Sequence, residues 1–174
     1  IIENTAGELF ETYNENNNKT KSHALTIGFA GRYADWKNWP LAVDISTKLN
    51  KRLKDKLYVK MAVGCLDEKA KKETIKMFQN LSSTLGDRFE GKINIDIEAM
   101  DDFYYSIDIF ILTSLPNSES FGRTLVEAMS RKTVVLSTNS GGPVEVIDNN
   151  DNICNTSEEF VKKILEFYFD KEKM

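Results

Sequence analysis

The chain has 174 residues, enough for one well-buried domain and short for two. Hydrophobic residues at 41% and charged residues at 29% exclude a disordered chain, which would need fewer aliphatics and a larger charge imbalance. The net charge of −4 argues against a nucleic-acid partner, because holding phosphates needs a basic face and Lys and Glu are intermixed here.

Residues 1–24 are polar, with the run Asn16-Asn17-Asn18 and the single histidine, His23. They read as a lead-in segment, helical in part from Ala6 to Tyr13 and then a loop. The chain opens on Ile1-Ile2-Glu3 with neither an initiator Met nor a signal peptide, the look of a portion of a longer protein. Residues 25–174 read as one domain. Leu25–Ala30 is an apolar strand ending at Gly31. Leu41, Ala42, Ile45, Leu49 and Leu53 then recur at helical spacing across Trp39–Leu53. Leu57–Val63 is a second strand, and Asp67 caps a helix to Leu85 with Ala70, Ile75, Phe78 and Leu81 inward. A short strand at Arg88–Gly91 and a short helix at Asp101–Ser106 follow. Ile107–Thr113 is a strand interrupted by Asp108. Thr124–Arg131 is a helix, Thr133–Ser137 a strand and Pro143–Ile147 a short helix. Ile153 marks a sixth strand, and Ser157–Phe169 is the last helix.

Strand and helix alternate without hairpin signals, so the sheet is parallel and covered on both faces. The fold class is α/β, a doubly wound Rossmann-like sheet. Ligands of such sheets sit beyond the C-terminal strand ends near the topological switch point, here the residues after the first and fourth strands. No run of apolar residues reaches membrane-spanning length. Cys65 and Cys154 have no zinc-ligand spacing and read as free thiols in a reducing compartment.

Three segments carry candidate chemistry. In the first, Gly31 lets the chain leave the strand, and Arg32 and Lys37 sit in the loop above the sheet just before a helix. Two cations beside a helix N-terminus suit a doubly charged anion, although solvated surface cations would look the same. The second is Ser118–Met129. Gly122 opens a helix there, the amides of Phe121, Gly122 and Arg123 are free to meet a ligand, and Glu127 follows one turn on, beside Arg123 and Thr124. A carboxylate can accept both hydroxyls of a ribose diol. Glu119 precedes the helix and can reach another part of the same ligand; the plainer readings are a helix-dipole partner for Glu119 and a solvated Glu127. The third, Gly141-Gly142-Pro143-Val144-Glu145, is a tight loop opening a helix. By itself it is a connector.

Together these segments resemble the C-terminal domain of retaining glycosyltransferases of the GT-B fold, the family 4 group, from about Leu25 to Phe169. Glu119 and Glu127 resemble that family's E-x7-E motif, its most specific mark here. Arg32 and Lys37 resemble its Gly-Arg…Lys pair, and the Gly141-Gly142 loop its GG-x-x-E turn. The resemblance implies a nucleotide-sugar donor, UDP-linked by preference and GDP-linked as the alternative, with no metal and no other cofactor. It implies that Arg32 and Lys37 hold the diphosphate, that Glu127 takes the ribose, and that Glu119 contacts the sugar. Gly31, Phe121, Gly122, Arg123 and Thr124 complete the implied donor site. Arg32, Lys37 and Glu119 form its catalytic group. It further implies an acceptor domain elsewhere in the polypeptide, a cytoplasmic setting and, for full-length members, work on lipid-linked acceptors at the membrane surface.

Two departures stand out: the family has glycine in the segment held here by Arg131-Lys132, and a Gly-rich turn near Asp148–Asn152. Neither is expected to touch the ligand. Three other readings remain open. A nucleotide-sugar epimerase would share the architecture. An NAD-dependent oxidoreductase needs G-x-G-x-x-G, which Gly28 and Gly31 do not form. An interaction module could keep the fold without chemistry.

Overall fold

The computed structural model describes residues 7–15 and 23–170. Five parallel strands form one sheet: β1 (Leu25–Arg32), β2 (Leu57–Gly64), β3 (Phe89–Ile93), β4 (Ile109–Leu112) and β5 (Val134–Ser137), in the order β3-β2-β1-β4-β5. The helices are α1 (Trp39–Leu53), α2 (Glu68–Leu85), α3 (Ile97–Tyr105), α4 (Arg123–Ser130), α5 (Pro143–Ile147) and α6 (Ser157–Phe169). The Asn16-Asn17-Asn18 run lies outside the described residues.

β1 is the pivot of the sheet. It pairs with β2 along its whole length, Leu25 with Leu57 through Arg32 with Gly64, and with β4 on its other edge. Its side chains alternate between two cores. Leu25, Ile27 and Phe29 enter a cluster with α1, α2 and α6, while Ala30 faces a second cluster built from α3, α4 and α5. Burying one large apolar side chain contributes about 1.5–3 kcal/mol, so these two layers hold the sheet between helices. The expected doubly wound α/β architecture is the one that forms. Among the described residues, no helix is long and apolar enough to cross a membrane.

Several boundaries move, each for a local reason. β1 runs on through Gly31 and Arg32, because β2 continues alongside to Gly64. α3 begins four residues before Asp101, since the Asp96 carboxylate accepts from the Ala99 amide at 2.8 Å and caps it. Asp101 and Asp102 are therefore mid-helix. Asp108 does not interrupt a strand. It precedes β4, where its carboxylate accepts from the Thr26 amide at 2.8 Å and its own amide donates to the Thr26 carbonyl. On α2, Thr74 is buried where Ile75 was expected, and Ile75 is 40% exposed. The sixth strand reduces to a single bridge between Ile153 and Ser137, because the Asn152 side chain rather than backbone takes the Val135 carbonyl. Both cysteines are free and buried. Burial pushes the Cys154 thiol up to about 11, which keeps it inert.

The lead-in is helical over part of the expected range, of which Ala6 lies outside the described residues. Residues Glu8–Glu11 form a short 3-10 turn, and Phe10 enters the second core at 5% exposure.

Candidate functional site at the strand ends

Connections leaving β1 and β4 pass to opposite faces of the sheet, which opens a crevice beyond their C-terminal ends. The loops around it are tied by short polar side chains and backbone. Thr113 Oγ1 donates to the Lys37 carbonyl at 2.9 Å, and the Leu115 amide donates to the Trp36 carbonyl at 2.8 Å. Thr138 Oγ1 donates to the Ser114 carbonyl. The Glu119 amide reaches the Ser140 carbonyl, and the Gly142 amide reaches the Glu119 carbonyl, both at 3.0 Å. The last approach requires glycine: a Cβ on Gly142 would lie 2.3 Å from the Ser120 carbonyl oxygen. Gly122, which opens α4, has φ +83, a conformation that disfavours side chains.

Within this frame Lys37 Nζ and Glu119 Oε1 form a direct ion pair, and Ser114 Oγ donates to the same oxygen at 2.6 Å. The Lys37 stem lies across Gly31, with Cε 3.4 Å from where a Cβ would stand. Arg32 is not in the loop above the sheet. It is the last residue of β1, its side chain exposed and its carbonyl accepting from Trp39 Nε1 at 3.3 Å. Trp39 is thereby a core residue, whereas Trp36 stays 45% exposed.

A cleft of about 300 Å³ adjoins the pair. Gly31, Arg123, Thr124 and Glu127 line it together with Gly64 and Phe10. Ile95, Ile97 and Met100, from α3 and the turn before it, give it an apolar wall. Phe121 and Gly122 lie off this lining; Gly122 is packed beneath Pro143. No side chain caps α4, so its first amides stay open beside Arg123 and Thr124.

Glu127 is not a solvated helix residue. It is 8% exposed at the base of the cleft. Tyr104 Oη donates to its Oε2 at 2.8 Å, and Arg123 Nε stands 3.3 Å from its Oε1. Burial raises the pKa of this carboxyl, opposed by the Tyr104 hydrogen bond and the Arg123 charge. Burial, and then the neighbouring Glu127 charge, push the Tyr104 phenol well above its ordinary value. It therefore stays protonated, and its proton points at the carboxylate.

Sequence reasoning missed three residues that shape this site. Tyr104 looks like any aromatic on a short helix; only its burial pairs it with Glu127. Asn94 has φ +53 and clasps Cys65, accepting from its amide at 2.6 Å and donating to its carbonyl at 3.0 Å. It fixes the turn from which Ile95 and Ile97 project; an Asn directly after a strand was the available signal. Arg131 is 2% exposed, and its guanidinium binds Asp101 and the Leu9 and Thr12 carbonyls. At both departures from the family pattern a residue holds the left-handed backbone that glycine prefers, Lys132 at φ +55 and Asp148 at φ +47. The substitutions keep the turn.

Comparison with known proteins gives the family and the fold. Residues 11–174 match the model of the family described as glycosyl transferases group 1. The 2-deoxystreptamine N-acetyl-D-glucosaminyltransferase of Niallia circulans is 27% identical over 126 residues, 72% of this chain and 30% of that protein. The C-terminal domain of a glycosyl transferase group 1 protein, LpcC of Francisella tularensis, superposes with a TM-score of 0.70 at 19% identity, over 85% of this chain and 77% of that one. HepE of Anabaena, solved with UDP-glucose, superposes with a TM-score of 0.68 at 20% identity, over 86% of this chain and 40% of that one. The chain spans less than a third of the length of the curated relatives it matches. From the strand order, the E-x7-E pair around the crevice and the match to the family model, the chain belongs to the glycosyl transferases group 1 family and has the fold of a GT-B C-terminal domain.

Proposed function

We propose that this domain binds a UDP-linked sugar in the cleft beside β1 and α4, as the donor half of a retaining glycosyltransferase. The observation that carries the reading is the buried carboxylate of Glu127. Tyr104 occupies its inner oxygen and leaves the outer one at the base of an open cleft beside Arg123. A ribose diol offers the donors such an oxygen accepts. The base packs against Ile95, Ile97 and Met100, and the diphosphate meets the open amides of α4, Lys37 where it crosses Gly31, and Arg32 at the exposed end of β1. Negative charge developing on the departing nucleoside diphosphate is stabilised there by fixed cations and dipoles, with no metal required. Glu119 keeps Lys37 oriented beside Gly31 and contacts the sugar. The acceptor site belongs to a separate domain, so this domain alone transfers far more slowly than about 10 per second, an ordinary enzyme rate.

Calorimetric titration with UDP, GDP and NAD in the presence of EDTA tests the reading. UDP binds, and Arg32→Ala and Glu127→Ala each weaken it at least about tenfold, the scale of a lost charged hydrogen bond. A folded domain that ignores every nucleoside diphosphate, or a Glu127→Ala variant that binds as the parent does, removes it.

A further inference from the structure

We propose that Arg131 is a positioning residue of the donor cleft: it locks residues 7–15 across α3 and α4 and, through Phe10 and Tyr104, holds the Glu127 carboxylate in place for a ribose diol. The proposal rests on the donor reading above and assigns a role to a residue outside the E-x7-E, Gly-Arg…Lys and GG-x-x-E segments.

Arg131 follows the last turn of α4, the helix that carries Glu127. It is 2% exposed, and each of its three guanidinium nitrogens has a partner. Nε pairs with Asp101 of α3. The two terminal nitrogens donate to the Leu9 carbonyl at 2.6 Å and the Thr12 carbonyl at 2.7 Å. Its plane stacks near the rings of Phe10 and Tyr105, 4.9 and 5.2 Å from their centroids. Lys132 adds a second grip, its Nζ 4.0 Å over the ring of Tyr13, and the Asn14 amide donates to Tyr105 Oη at 2.9 Å. One planar fork thus fastens a segment more than a hundred residues distant in sequence.

What the clamp holds is part of the site. Phe10 lines the cleft and meets Tyr104 edge-on at 5.9 Å. Phe103 and Phe110 close round Tyr104 at 5.5 and 5.6 Å. That ring cage aims the Tyr104 hydroxyl at Glu127. A buried ion pair is a poor source of stability compared with apolar packing, so a charge placed here is better explained by register than by stability. Removing it frees the strap, loosens the cage and lets the carboxylate drift, which costs alignment rather than fold.

The test compares two probes on the full chain, UDP and 2′,3′-dideoxy-UDP, by calorimetry, with circular dichroism to verify folding. In the parent, UDP binds more tightly than its dideoxy analogue. Arg131→Ala weakens UDP about tenfold and the analogue less than about twofold, since only the diol reads Glu127. Arg131→Lys keeps a cation beside Asp101 but has no fork for two carbonyls, and it gives the same pattern at smaller size. The lysine variant decides the matter if the alanine variant does not fold. Equal weakening of both probes, or unchanged UDP affinity in a folded variant, overturns the positioning role while leaving the donor site standing. A parent that binds the two probes equally overturns the donor assignment of Glu127 and the proposal with it.

Discussion

The two sides of the site are built by different means. The side made by the loops after β1, β4 and β5 is a weave of backbone hydrogen bonds and short hydroxyls, with glycines where chains touch. The opposite side, made by α3 and residues 7–15, is a block of packed aromatics pinned by one buried cation. The first kind of wall fixes positions to the length of a hydrogen bond and tolerates no added atom. The second fixes them by volume, so it yields gradually. Damage to the two sides should therefore look different.

The largest effect is expected in the woven side. A Cβ on Gly142 would stand 2.3 Å from the Ser120 oxygen and 2.7 Å from the Phe121 Cα, all backbone that cannot swing aside. Gly142→Ala should cost about 3 kcal/mol, the upper range for forced overpacking. Denaturant melting checks this. A loss below about 1 kcal/mol would mean that the Glu119 and Gly141-Gly142 segments can part freely, and that the weave is not rigid.

This contrast also explains what could be read from the chain alone. The woven side was legible because its needs are local: a glycine where two backbones meet, a carboxylate at fixed spacing from a helix start. Gly31, Lys37, Glu119 and Glu127 could be singled out for that reason, and the parallel sheet follows from the alternation of elements. The packed side was not legible. Tyr104 acquires its meaning only when α3 lies against α4, and Arg131 only when residues 7–15 return across both. A polar lead-in with one Phe looks the same in sequence whether or not that Phe is buried. Arg32 was misplaced because the end of a strand is set by its neighbour, and β2 runs on to Gly64. Ile153 looked like a strand because its single bridge to Ser137 leaves the same apolar mark as a full pairing.

On the packed side the sharpest probe is a single oxygen. Tyr104→Phe keeps the ring cage and deletes the hydroxyl that donates to Glu127. It should cost about 1.5 kcal/mol, the price of a buried acceptor left without its donor. It also shifts function. The hydrogen bond favours the ionised carboxylate, and burial opposes ionisation. Without it the Glu127 pKa rises further, so the acid limb of UDP binding moves to higher pH. A profile that stays in place while affinity falls uniformly would separate Tyr104 from the charge state of Glu127.

The smallest effect runs in the opposite direction. Glu127 is nearly buried and its carboxyl titrates above the ordinary range, chiefly through desolvation. As pH rises from the ordinary glutamate value to the raised one, the unfolded chain has released this proton and the folded chain still holds it. Folding stability therefore falls across that window, and the deficit persists at higher pH. Glu127→Gln removes the charge and keeps an oxygen for the Tyr104 hydroxyl. At pH 8 the variant should be more stable by about 1 kcal/mol, the usual size of one stabilising substitution at a functional site, and the difference should vanish in acid. Its affinity for UDP should fall at the same time, because the group facing the cleft has become an amide NH2, which donates and cannot accept from a ribose hydroxyl. Melting curves at pH 4 and pH 8, with UDP titrations alongside, measure both quantities. Gains in stability paired with loss of binding would mark Glu127 as a residue kept for a ligand at the expense of the fold. A variant less stable at pH 8 would make the carboxylate a structural brace instead.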